Sequence, residues 1–126
     1  MKLVFDSSVL IDHLRGGDYY DSLLHDLKDE PSLLIPTIVL TELYSGQSTK
    51  QKDVLQKLQK LLSQLEQISL TENIATRAGK LIRDFGTSRG LPDYIIAATA
   101  LEIGGEVVTL NTKHFQKIPG VAVFEY

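Results

Sequence analysis

Lys2-Leu3-Val4-Phe5-Asp6-Ser7-Ser8-Val9-Leu10-Ile11-Asp12 begins with an apolar run that meets an acid and two hydroxyls, after which apolar residues return at helical spacing. A short apolar run without polar alternation reads as a strand buried on both faces, which is the environment of a parallel sheet covered by helices. Asp6 then falls at the carboxyl end of that strand, the edge at which open α/β sheets bind their ligands. Residues delivered to the same edge by other elements are the candidates for chemistry.

Working outward, strands are read at Leu33-Leu34-Ile35, around Ile68, at Glu106-Val107-Val108-Thr109-Leu110 and from Val121 to Phe124. Helical patterns lie between them. The first, capped by Asp6 or Ser7, carries Val9, Leu10 and Leu14 up to Gly16-Gly17, and Tyr19 to Lys28 turns Tyr20, Leu23, Leu24 and Leu27 inward. Ile38 to Gly46 is apolar except at Thr41-Glu42. Thr49 to Leu65 has a 3.6-residue apolar stripe, including Leu58, Leu61 and Leu65, opposite Lys52, Lys57 and Lys60. Thr71 is expected to cap a helix that buries Ile74, Ala75, Ala78, Leu81, Ile82 and Phe85 and exposes Arg77, Lys80 and Arg83. Gly86 to Gly90 reads as a loop, Pro92 fits a first helical position, and Asp93 follows in the first turn. From Ile95 to Ile103 nearly every residue is apolar or alanine, which predicts the most buried helix. Asn111 to Phe115 reads as one more turn.

Strands alternating with helices imply a parallel sheet covered on both faces. Right-handed crossovers then bring strand carboxyl ends and helix amino ends to one edge. Asp6, Glu42, Asp93, Thr109 and Asn111 converge there, with Glu42 expected early in its helix. At 126 residues the chain is expected to be one domain, spanning residues 1–126. It has no cysteine, which excludes disulfides, thiolate zinc sites and thiol nucleophiles. No apolar run approaches the roughly 18 residues that span a bilayer. With no signal-peptide pattern at Met1, a cytoplasmic location is expected. The net charge of −3 leaves any nucleic-acid binding to local basic patches.

Each acid has an ordinary alternative: Asp6 as a helix cap, Asp93 as a complement to the helix dipole, Glu42 as a solvated residue. The combination points elsewhere, because carboxylates gathered at one edge raise one another's pKa unless a cation neutralises them. Oxygen ligands without His or Cys suit hard ions such as Mg²⁺ or Mn²⁺. A receiver domain leaves Asp93 unexplained, a haloacid-type phosphatase needs an acid where Ser8 stands, and no glycine-rich fingerprint supports nucleotide binding.

FDSSVLID from Phe5, PTIVLTELYSG from Pro36 and LPDYIIAATALEIGGEVVTLNTKHF from Leu91 together resemble the PIN-domain family, and within it the VapC-type toxin ribonucleases. The resemblance covers nearly the whole chain. It implies a single PIN-like α/β domain with a five-stranded parallel sheet of order 3-2-1-4-5 flanked by helices. It implies Mg²⁺ or Mn²⁺ held by Asp6, Glu42 and Asp93, with Thr109 and Asn111 completing the catalytic set. Ser7 and Ser8 match the small polar residues that follow the first acid. One departure is His114 before Phe115, where many relatives carry an acid; one tight metal is therefore expected without RNA, and a second only with substrate.

The implied activity is hydrolysis of RNA phosphodiesters by a metal-activated water, leaving 5′-phosphate and 3′-hydroxyl ends. The implied partners are an RNA substrate and a VapB-like antitoxin, and a homodimer without membrane association is expected. Arg77, Lys80, Arg83, Arg89 and Lys113 are candidates for holding the RNA backbone. The alternative reading is a non-catalytic PIN-fold module that binds RNA or protein, and the intact acids argue against it.

Overall fold

The structure, a computed structural model, describes residues 1–86 and 90–126. Arg89, named above as a possible RNA contact, lies outside the described residues. Five short strands form one parallel sheet: β1 (Lys2–Phe5), β2 (Ser32–Pro36), β3 (Glu66–Ile68), β4 (Glu106–Val108) and β5 (Ala122–Val123). Their order is β3-β2-β1-β4-β5, with every pairing parallel. In β1, Leu3, Val4 and Phe5 are fully buried, as a central strand between two helical layers requires. Its register pairs Leu3 with Leu33 on one side and Phe5 with Val108 on the other. Asp6 therefore emerges just beyond Phe5, beside the end of β4.

The helices are α1 (Ser7–Leu14), α2 (Tyr19–Asp26), α3 (Thr37–Tyr44), α4 (Lys52–Leu62), α5 (Glu72–Phe85), α6 (Leu91–Ile103) and α7 (Thr112–Gln116). α6 buries Tyr94 through Ala100 continuously and is the most buried helix, in line with its composition. Gly104 ends it in the left-handed region at φ 70°, and a Cβ on Gly105 would meet Val4 and the Lys2 carbonyl at 3.0 and 3.2 Å. The pair thus turns the chain tightly from α6 into β4.

Several expected boundaries shift. The helix read from Thr49 to Leu65 is a 3₁₀ turn (Gln47–Lys50), an extended Gln51 and then α4. β4 stops at Val108, so Thr109 and Leu110 lie past the strand, and β5 is only two residues long. Asp6 alone caps α1, accepting from the Ser8 N–H, while Ser7 is the first helical residue. Pro92 is the second residue of α6, and Glu42 sits in the second half of α3. On α5, Ile74, Ala78 and Leu81 are buried, but Ala75, Ile82 and Phe85 are exposed. Their stripe is wider than the face that α6 covers. α5 and α6 form an antiparallel pair, shown by Tyr94 donating to the Phe85 carbonyl at one end and Arg77 meeting Glu102 at the other.

Candidate active site

Asp6 is 4% exposed, and both of its carboxylate oxygens are engaged. Oδ1 accepts from the Ser8 N–H at 3.0 Å and from Ser8 Oγ at 2.6 Å. Oδ2 accepts from Thr109 Oγ1 at 2.6 Å. Thr109, 1% exposed, in turn accepts from the Asn111 N–H at 2.9 Å, and the Leu110 N–H donates to Ser8 Oγ at 2.9 Å. The chain leaving β4 is thereby stitched to the chain leaving β1 through two hydroxyls and one acid. Burial pushes the Asp6 carboxyl above its ordinary pKa, and the bonds from Ser8, Thr109 and Val9 oppose that shift without cancelling it.

Glu42 reaches the same place from α3. Helical side chains tilt toward the amino end of their helix, so a long acid in the second turn can project back over the first. Ser7 Oγ donates to Glu42 Oε2 at 3.2 Å, whereas Oε1 is buried without a hydrogen-bond partner. The Glu42 carboxyl is raised by burial, lowered by the Ser7 bond, and raised again by the charges of Asp6 and Asp93. Asp6 and Asp93 therefore lie within electrostatic range of Glu42. Asp93 is the third residue of α6, half-buried, with His114 Nδ1 at 3.8 Å from its Oδ2. The acid's side chain is 30% exposed and the histidine's 55%, so water reaches both.

Asn111 enters through its backbone. Its exposed side chain makes no capping bond to α7. Tyr19, which has no local signal marking it in the sequence, stands close enough for the Asp6 charge to raise its phenol pKa, after burial as the larger cause. Two of the expected RNA-binding cations are committed elsewhere: Arg77 pairs with Glu102 at 2.6 Å, and Arg83 with Asp84 at 2.8 Å. Glu102 is nine residues beyond Asp93 on α6, about 13 Å along the helix axis. Lys80 lies beside Arg77 in the groove on α5, and Lys113 is exposed on α7.

The donor set offered to a cation is oxygen only, which is the chemistry of hard divalent ions. The orphaned, buried Glu42 Oε1 fits such a ligand. Among the described residues, no three His, Asp or Glu side chains are already drawn together as a metal-holding cluster. Asp6 and Glu42 are held by hydroxyl partners, and Asp93 faces the His114 ring.

Residues 3–121 match the family model described as "PIN domain". Ribonuclease VapC10 of Mycobacterium tuberculosis is 38% identical over 117 residues, covering 90% of this chain and 85% of that protein. Among solved structures, VapBC2 from Rickettsia felis, bound to a DNA fragment from its promoter, superposes with a TM-score of 0.86 at 27% identity, covering 100% of this chain and 99% of that one. A toxin-antitoxin complex from Klebsiella pneumoniae gives 0.76 at 30% identity, covering 98% and 99%. With the sheet order, the placement of Asp6 and these likenesses in agreement, the chain belongs to the PIN domain family and, within it, to the VapC-type proteins.

Proposed function

We propose that this protein is an endoribonuclease, the toxin of a toxin-antitoxin pair, that hydrolyses RNA phosphodiester bonds with Mg²⁺ or Mn²⁺ held by Asp6, Glu42 and Asp93. One observation supports the reading most. A buried carboxylate is kept at the ligand-binding edge of the sheet against its solvation cost, beside a second acid whose buried oxygen has no partner. A purely structural site would pair such a group or replace it. The likeness to ribonuclease VapC10 and to a toxin-antitoxin complex supports the same assignment.

When bound, a hard divalent ion lowers the pKa of a coordinated water and offsets charge building on the phosphate. The chain's own residues supply the rest. Ser8 and Thr109 grip Asp6 by both oxygens, so that carboxylate is fixed before substrate arrives. Ser7 orients Glu42 through Oε2 and leaves Oε1 facing no protein partner. Glu42 would supply one of the ion's carboxylate ligands, and the proton of the attacking water passes to solvent. The P–O3′ bond breaks, leaving a 3′-hydroxyl after protonation from solvent and a 5′-phosphate. Asp93 adds the third negative charge from the start of α6.

The partners follow as further parts of the proposal. A groove of about 420 Å³ beside Glu42, lined by Ile11, Leu14, Leu43 and Val54, offers an apolar seat for a segment of a VapB-like antitoxin. Exposed Ile82, Phe85 and Leu91 favour a homodimer, and a single monomer mass by light scattering at tens of micromolar would refute it. No helix among the described residues is long and apolar enough to cross a membrane. The deciding experiment is a titration of Mn²⁺ against cleavage of a mixed RNA pool, with Asp6→Asn as control. Cleavage should rise with Mn²⁺ and vanish in EDTA and in the variant. Persistence in excess EDTA would remove the metal, and an uncut pool with folded protein would remove the nuclease.

A further inference from the structure

Beyond the carboxyl end of β4 lies a second cleft, of about 380 Å³. Its walls include Tyr19, Thr109, Leu110, Phe124, Glu125 and Tyr126. Thr109 is shared with the candidate active site, since its hydroxyl donates to Asp6 Oδ2. The aromatic wall is held in place. Tyr126 meets Tyr19 edge to face with ring centroids 5.4 Å apart, and its hydroxyl donates to Asp26 Oδ2 at the end of α2. Yet the Tyr126 residue remains 55% exposed, and Leu110 beside it 46%. A partly exposed aromatic ring anchored by its hydroxyl offers a stacking surface with little conformational entropy left to lose.

The charge of the cleft decides what it can take. No Lys or Arg is among its described lining residues, and Glu125 contributes a carboxylate, so a phosphate is an unsuitable occupant. A flat ring with N–H donors suits it: the face stacks on tyrosine and the donors meet Glu125. Glu125 Oε1 accepts from Gln116 Nε2 at 3.2 Å, which orients the carboxylate. We propose that this cleft receives an unpaired base of single-stranded RNA next to the scissile phosphate, stacked on Tyr126 and favoured when it presents N–H groups to Glu125. The inference rests on the endoribonuclease reading and deepens it, because the cleft adjoins Asp6 through Thr109. Recognition of this kind reads unstacked bases and is blind to a duplex.

The test uses octamer RNAs that carry a single 2-aminopurine, moved one position at a time, mixed with the full-length protein. Fluorescence is read by stopped flow before turnover. One position should be quenched by stacking. The Tyr126→Ala variant should lose that quenching and bind about 5- to 150-fold more weakly, the range expected for one base-aromatic stack. Tyr126→Phe, which keeps the ring, should retain it. An abasic nucleotide at the quenched position should weaken wild-type binding to a similar degree, which keeps the test independent of how any variant folds. No quenched position, or quenching indifferent to Tyr126→Ala, overturns the proposal. Loss of a protein partner by Tyr126→Ala with RNA binding intact also overturns it and assigns the cleft to a peptide. Tyr126-dependent quenching with an uncut RNA pool supports the base site while removing the nuclease reading; a cut pool with no quenching does the reverse.

Discussion

Replacing Thr109 by Val keeps the shape of the side chain and removes one hydroxyl. That hydroxyl donates to Asp6 Oδ2 at 2.6 Å and accepts from the Asn111 N–H at 2.9 Å. Thr109 is 1% exposed and Asp6 4%, so water cannot readily replace the first bond. A hydrogen bond to a charged group contributes about 1.5–3 kcal/mol, and leaving the Asn111 N–H unpaired at an exposed residue adds up to about 1 kcal/mol. The expected loss is about 3 kcal/mol at neutral pH, or about 10 °C in melting midpoint for a chain of this size. Thr109→Ser keeps the hydroxyl, loses one methyl and should cost about 1 kcal/mol. The loss should also depend on pH. Burial already raises the Asp6 pKa, so the folded state takes up its proton more readily than the unfolded chain, and acidification through that pKa stabilises the fold. Removing a bond to the ionised form raises the pKa further. The penalty of Thr109→Val should therefore be full above the variant's further-raised Asp6 pKa and shrink as pH falls from there to the native one. Urea denaturation of wild type and both variants across pH 4 to 8 measures this. A Thr109→Val variant within about 0.5 kcal/mol of wild type, or a Thr109→Ser variant equally damaged, would refute the clamp.

Ser7→Ala removes the hydrogen bond that orients Glu42, so calorimetry should show weaker Mn²⁺ binding by the folded variant; an unchanged Mn²⁺ affinity removes Ser7 as the residue that positions Glu42. Asp6→Asn relieves a buried charge: the metal-free variant should melt higher than wild type and lose the stabilisation by Mn²⁺ that wild type gains at neutral pH, as thermal scans with and without Mn²⁺ would show. Calorimetry on RNA-free protein should find one tight Mn²⁺ site, tightened in Asn111→Asp, while His114→Ala keeps most cleavage because its ring is largely solvated and 3.8 Å from Asp93; two equally tight sites would overturn the one-metal expectation.

The sequence by itself was enough for the elements and their class. The apolar run before Asp6, the stripe of the fourth helix and the all-apolar Ile95 to Ile103 are local periodicities, and periodicity is set by neighbours a few residues apart. The position of Asp6 at a strand end is equally local, and the sheet order followed from the family resemblance. What only the tertiary structure decided are partners. Thr109 and Asp6 are 103 positions apart, and nothing near either residue announces that one will bond the other. Ser7 reads as a helix cap beside Asp6, yet its hydroxyl crosses to Glu42 because α3 packs against α1. Ile82 and Phe85 belong by spacing to a buried stripe and are exposed because α6 covers only part of it. Arg77 and Arg83 read as free cations, but each has an acid at bonding distance. The aromatic cleft joins Tyr19 to Tyr126 from opposite ends of the chain. A helix or a strand is specified by spacing along the chain, whereas a hydroxyl's acceptor, a cation's counter-ion or a ring's neighbour is set by which faces the packed elements turn toward one another.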